Sequence, residues 1–186
     1  MKENLFMMEK RNPDLVEIPN SQTNRCFGCG PMNPSGLHLR FFSDGVSVVS
    51  WLTIPEHLCG WRNLIHGGII ATVLDEVMGR TVIWLLRRLG LTKSMQIDFL
   101  KPVYIGEKLK AMGGVLERNS DREVHVEGVL YNEAGDLCAR STAIFALFTP
   151  EYIRERGVSD DETLKWLEKL LEVEALRREN ERNSPI

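Results

Sequence analysis

The sequence lacks several features, and each absence removes a class of function. No apolar run approaches the roughly 20 residues that a bilayer-spanning helix needs. Lys and Arg number 23 against 26 Asp and Glu, a formal net charge of -3, so there is no basic footprint for nucleic acid. The first residues, Met1-Lys2-Glu3-Asn4-Leu5-Phe6-Met7-Met8-Glu9, set charges among the apolar side chains and offer no signal-peptide core. No internal repeat or low-complexity segment interrupts an ordinary globular composition. The default expectation is a cytoplasmic protein with neither nucleic acid nor membrane among its partners.

Cysteine is scarce as well, with only Cys26, Cys29, Cys59 and Cys138 in 186 residues. Cys26-x-x-Cys29 has the spacing of a metal or redox pair. A structural zinc site takes four ligands, usually as a second close pair, and Cys59 and Cys138 stand alone. Reduced structural thiols are therefore the expectation, with no metal.

What is present organises itself around one stretch. Asn63-Leu64-Ile65-His66-Gly67-Gly68 leads into Ile69-Ile70-Ala71-Thr72-Val73-Leu74-Asp75-Glu76-Val77-Met78-Gly79. Adjacent glycines let a backbone approach a ligand closely, and a helix start carries N–H groups without intrahelical partners. A carboxylate inside an apolar helix is costly to bury unless it has a partner or a task. The helix is expected to run to about Arg88, apolar on nearly every face and so buried. Cations in its last turn and a stop at Gly90 would end it.

The chain length favours one domain with short appendages. Residues 1–24 read as a loosely ordered arm, 25–149 as the domain and 150–186 as a C-terminal helical extension. Residues 25–36 are turn-forming throughout. Leu37–Phe42 and Val46–Leu52 flank Ser43-Asp44-Gly45 as a hairpin. After the long helix, alternation marks strands over 92–100 (Met95, Ile97 and Phe99 on one face), 107–116, 123–131 and 137–148. In the extension, Ser159-Asp160-Asp161-Glu162 is a capping box, and Leu164, Leu167, Leu170, Leu171 and Leu176 mark an amphipathic helix. One helix with two strands before it and about four after it is an α+β pattern. So few strands cannot cover an all-apolar helix, so part of the surface should meet a partner subunit.

This pattern resembles a known family. His66-Gly67-Gly68, Asp75 nine positions on, and Phe99-Leu100-Lys101-Pro102-Val103-x-x-Gly106-Glu107 are similar to the hotdog-fold thioesterases of the phenylacetate-pathway, or 4-hydroxybenzoyl-CoA thioesterase-like, type. The leader from Cys26 to Leu37 and the segment Gly135–Ala139 fit the same superfamily, so the resemblance covers about residues 25–149. It implies a curled antiparallel sheet round a central helix and homodimers that can pair further into tetramers. It also implies active sites at the dimer interface and hydrolysis of acyl-CoA thioesters without metal or redox cofactor.

The candidate catalytic residues follow. Asp75 would act as general base or nucleophile, or else serve as a structural carboxylate in the helix wall. Its neighbour Glu76 lies about 100° round the helix and is the decoy. Gly68 N–H would polarise the thioester carbonyl. Gly68 and Asp75 are seven residues apart, roughly 10 Å along a helix, too far to serve one thioester from one straight helix. Donor and acid should therefore come from different subunits. His66 would touch the thioester or simply hold the loop. The resemblance places a hydroxyl that orients the water or acid at Thr92. An amide side chain found in some members six positions before the histidine is replaced here by Gly60, with Asn63 a candidate substitute.

Gly67, Asn63, Lys101, Pro102, Arg118 and Arg122 are the candidate substrate-binding residues. The three cations would meet coenzyme A phosphates, or be solvated surface charges. Trp51, Leu58, Trp61, Leu64 and Met78 are candidates for the acyl tunnel or for core. Two other functions remain open. One is a non-catalytic acyl-CoA-binding module. The other is enoyl-CoA hydration on the same fold, against which stands the glycine, rather than an acid, after His66.

Overall fold

The structure, a computed structural model, describes residues 15–118, 120–157, 165, 168 and 169. The expected capping box and most of the C-terminal amphipathic helix lie outside these, as do residues 1–14. Elements run β1 (Val16–Glu17), β2 (Phe42–Ser43), β3 (Val48–Leu52), a 3-10 turn (Glu56–Leu58), α1 (Gly67–Leu86), β4 (Leu89–Phe99), β5 (Leu109–Glu117), β6 (Glu123–Tyr131), β7 (Leu137–Phe148) and α2 (Pro150–Arg156). The strands form one antiparallel sheet in the order β1-β2-β3-β5-β6-β7-β4. α1 packs against β3 through β7, so the sheet curls round it. This is the hotdog fold.

The alternation in the sequence explains the core. In β6, Val124, Val126, Gly128 and Leu130 are buried and the residues between them are not. Inward residues of β5 and β7 do the same, with Leu109, Ala111, Cys138, Ala143 and Phe145. Against them lie Val73, Leu74, Val77, Met78 and Val82 of α1, each at most 1 % exposed. Helix and sheet approach closely where the sheet presents glycine: a Cβ on Gly113 would stand 2.3 Å from Thr81 Oγ1 and 2.9 Å from Val77 O. Any side chain there would push the helix off the sheet.

Three expectations change in detail. α1 ends at Leu86 with Arg87 in the left-handed conformation (φ 56°), and Gly90 lies inside β4. Arg87 stacks over Trp84, and this contact accompanies the conformation that glycine was expected to supply. The first arm of the expected hairpin shrinks to β2. Leu37 and Leu39 donate to the carbonyls of Phe27 and Gly28 rather than to a neighbouring strand, and His38 has φ 51°. From Leu15 on, the supposed arm is fastened to the domain. β1 pairs with β2, and buried Ile18 donates to Phe41 O.

β4 closes one end of the sheet and has no neighbour beyond it among the described residues. It is 11 residues long and leaves Leu91 50 % and Phe99 56 % exposed. A long edge strand with exposed Leu91 and Phe99 offers unpaired backbone groups to a neighbouring strand, although it also carries Lys93 and Asp98. Among the described residues no helix is long and apolar enough to cross a membrane.

Candidate active site

The start of α1 is fixed by a small network that joins two separate motifs. Ile65 N–H donates to Val103 O, Ile105 N–H to Asn63 O, and Leu64 bridges Tyr104. The Pro102-to-Glu107 segment therefore clamps the segment before the helix. Gly106 adopts φ 83°, and the Glu107 carboxylate accepts Tyr104 N–H at 3.0 Å. Both residues shape that turn, which explains their spacing after Pro102.

His66 is the N-cap of α1. Its extended backbone (φ -61°, ψ 134°) starts the helix, and its Nδ1 accepts the Gly68 N–H at 2.9 Å. The ring thus carries its proton on Nε2. The amide assigned to carbonyl polarisation is occupied by this cap in the free chain. Gly67 and Gly68 are exposed, and the Phe99 ring stands beside Gly67. Next to them Trp61, Arg62, Asn63, Leu64, Pro102 and Tyr104 line a pocket of about 330 Å³. Asn63 and Pro102 come together here, with Trp61 and Leu64 of the tunnel set. Met78 is fully buried core, and Trp51 packs edge-to-face on Phe42. A Cβ on Gly60 would lie 3.1 Å from His66 Cα, so a side chain there would need the backbone at His66 to give by a few tenths of an ångström.

Asp75 lies two turns along α1, half-buried, and Thr92 Oγ1 donates to its Oδ1 at 2.7 Å. Burial raises the Asp75 carboxyl above the usual carboxylate range, the Thr92 hydroxyl opposes this, and the charge of Glu76 adds to it. A bulge brings Thr92 there. In β4 the odd residues Met95, Ile97 and Phe99 pair with inward Ala143, Ser141 and Ala139, so even positions should face out. The register shifts between Thr92 and Ser94, and Thr92 pairs instead with buried Phe145. One extra residue thus turns Thr92 toward the helix.

The described residues divide the candidate set in two. His66, Gly67, Gly68, Asn63, Lys101 and Pro102 lie at the Phe99 end of β4, and Asp75 and Thr92 lie toward the other. The β5–β6 turn with Arg118 and Arg122 is on the second side, since Glu123 pairs with Ala146 of β7 next to the Phe145–Thr92 pair. Lys101 pairs with Asp136 at 2.8 Å, and Arg118 with Asp121 at 2.8 Å. Arg122 N–H binds Ser120 Oγ. Each ion pair is exposed and therefore weak, so neither prevents the cation from turning to a phosphate.

Reading the sequence missed what lies on the other face of the helix. Glu76, set aside as the decoy, meets Cys26 Sγ at 3.0 Å, and Arg80 is buried beside Cys29 Sγ at 3.3 Å. The signal was available. Glu76 and Arg80, four apart, are charges on one face of an otherwise apolar helix.

Residues 63–139 match the family model of the thioesterase superfamily. The matched stretch runs from just before α1 into β7, within the hotdog domain. Among solved structures, the chain is similar to a crystal structure of a thioesterase superfamily protein (TM-score 0.61, 24% identity), covering 66% of this chain and 60% of that one. It is similar also to the Escherichia coli PaaI protein from the phenylacetic acid degradation operon (TM-score 0.55, 16% identity, 61% and 81% covered). A third is a Streptococcus mutans protein bound to acetyl CoA (TM-score 0.52, 20% identity, 55% and 81% covered). At these identities the structural likeness concerns the fold. A search of curated protein sequences finds no match.

Proposed function

We propose that the protein hydrolyses acyl-CoA thioesters as a homodimer, with each active site built from both copies. The observation that carries this reading is the Asp75–Thr92 pair at the β4 edge, which has no neighbouring strand among the described residues, with an exposed glycine helix start at the other end of the same edge. Thr92 and Phe99 are seven residues apart on β4, about 23 Å along a strand. If two copies pair β4 to β4 antiparallel about a two-fold axis, the Thr92 end of one meets the Phe99 end of the other. Asp75 of one copy then faces Gly68 of its mate, which resolves the separation of the two groups along one helix.

In the reaction, Thr92 holds Oδ1 of Asp75 and leaves Oδ2 to take a proton from water. The water oxygen attacks the thioester carbon, and the carbonyl oxygen becomes an oxyanion against Gly68 N–H. For this, the His66 ring must give up its bond to that amide as the carbonyl takes its place. Collapse breaks the carbon–sulfur bond, and the proton held by Asp75 goes to the leaving thiolate. The products are a free acid and coenzyme A. Asp75 could alternatively attack the carbon itself, giving an anhydride that water opens. Arg118, Arg122 and Lys101 would meet the coenzyme A phosphates, and the pocket at Trp61 and Tyr104 would receive part of the acyl or pantetheine portion.

The test is a panel of short, medium, long and aromatic acyl-CoA thioesters, with released thiol measured after the protein's own thiols are blanked. Hydrolysis of at least one class, lost in Asp75→Asn, is the expected result. Cleavage of none, with retained binding, moves the protein to the acyl-CoA-binding reading.

A further inference from the structure

On the face of α1 away from β4, Cys26, Cys29 and Glu76 bring three donor atoms within 4.8 Å of one another. Two come from the turn Cys26-Phe27-Gly28-Cys29-Gly30, closed by Gly30 N–H to Cys26 O at 2.9 Å. The third comes from the helix, 47 residues after Cys29, which is why the sequence showed a pair and no site. From this geometry we infer a binding site for a thiophilic divalent cation, best matched by Zn(II), held by the two cysteine sulfurs and the Glu76 carboxylate.

Four features support it. Tetrahedral zinc with sulfur ligands about 2.3 Å away sets neighbouring donors a little under 4 Å apart, so small side-chain movements close the triangle. Sulfur and carboxylate already face each other: the Cys26 thiol donates to Glu76 Oε1 at 3.0 Å. Gly28 lies so close to the helix that a Cβ there would stand 2.2 Å from Glu76 Cγ, so the carboxylate is steered toward the sulfurs. Arg80 Nη2 reaches Cys29 Sγ at 3.3 Å and Asn24 Nδ2 reaches it at 3.6 Å, the outer hydrogen bonds that a metal-bound thiolate accepts.

Charge also balances. Two thiolates and one carboxylate carry three negative charges, which a divalent cation and the Arg80 guanidinium neutralise together. On binding, the proton shared by Cys26 and Glu76 and the proton of the Cys29 thiol leave to solvent. Three protein donors leave a fourth position for water on the side of half-exposed Cys26. A bound ion would rivet the 24–37 loop onto α1, one residue from Asp75 but on a different face of the helix, so the site is a clamp and no reaction step passes through it.

The test uses the full chain, reduced and stripped with a chelator, titrated with Co(II) and then Zn(II). The expected result is one Co(II) per chain with sulfur-to-cobalt charge-transfer absorption in the near ultraviolet, removed by Zn(II), and a melting temperature raised by the metal. Cys26→Ser should lower affinity by roughly tenfold or more and reduce the charge-transfer band. Glu76→Gln should lower affinity to a similar degree with the band kept, because both sulfurs remain. Cys59→Ser, an exposed cysteine outside the cluster, should change nothing. The inference is overturned if the reduced wild type shows no charge-transfer band, if Cys26→Ser and Glu76→Gln bind as tightly as wild type, or if the purified protein holds a Cys26–Cys29 disulfide that excludes the ion.

Discussion

Asp75 faces the free edge of the sheet, where a strand hydroxyl donates to it, whereas Glu76, one residue further and about 100° round α1, faces a loop that supplies two sulfurs. The two carboxylates have the same chemistry and opposite surroundings. Asp75 is met by a neutral Thr92, so its negative charge is oriented but not cancelled. Glu76 shares a proton with Cys26 and sits near Arg80, so its charge is compensated on the spot. An oriented, uncompensated carboxylate suits proton transfer, and a compensated one among sulfurs suits holding. On the proposed reading, the partner, not the residue type, separates the reactive face of α1 from the fastening face.

The strongest way to break this comparison is Asp75→Asn. The change is nearly isosteric and removes only the ability to take a proton. Turnover should fall by about 10²–10⁴-fold, the usual contribution of a positioned acid–base group. Metal uptake at Cys26, Cys29 and Glu76 should persist, because that cluster does not use Asp75. Hydrolysis at the wild-type rate would remove Asp75 from the reaction. Simultaneous loss of hydrolysis and metal uptake would show that the two faces are not separable.

The next effect tests whether the reactive face belongs to two copies. Leu91, 50 % exposed on β4, is a plain edge position that contacts neither Asp75 nor the start of α1 through any bond described above. Leu91→Arg should place a charge against the Phe99 end of the other copy's β4 and shift the population to monomer in sedimentation. Activity should fall in proportion to the dissociated fraction and recover at high protein concentration. A fully active monomer would sink the shared-site reading while leaving the fold untouched.

A smaller effect is expected from Thr92→Val, which keeps the shape and removes the 2.7 Å bond to Asp75 Oδ1. A hydrogen bond to a charged group contributes about 1.5–3 kcal/mol, so kcat should drop roughly ten- to a hundredfold. KM should move little, since the hydroxyl orients the base rather than the substrate. A drop confined to KM would assign Thr92 to binding instead.

How much of this was legible follows from where each signal resides. The largely apolar run from Ile69 to Leu86 and the alternation in the strands after it carry their own periodicity, so the central helix and curled sheet can be read directly. Asp75, Gly68 and Thr92 were reachable through the family resemblance. The contact from Cys26 to Glu76 spans 50 positions, and nothing local in either segment names the other. The inward turn of Thr92 depends on a bulge at Lys93, which breaks the period that reading relies on. Leu37–Phe41 alternates like a strand, yet its first hydrogen bonds go to the cysteine turn, because that loop offers carbonyls where a strand partner would have been.

The smallest effect concerns His66, a candidate catalytic residue that stands in the structure as a helix cap. Its Nδ1 satisfies one of the first N–H groups of α1, a service of about 0.5–2 kcal/mol. His66→Ala should therefore lower the melting temperature by a few degrees, as about 1 kcal/mol does in a chain of this size. The same change frees the Gly68 amide from the ring that must otherwise move aside for a carbonyl. Loss of the cap loosens the amide, and removal of the competitor exposes it. The two effects oppose each other, so kcat/KM should change less than in Thr92→Val. A fall as large as that of Asp75→Asn, at unchanged stability, would return the imidazole to the reaction itself and make the reactive face a three-residue site.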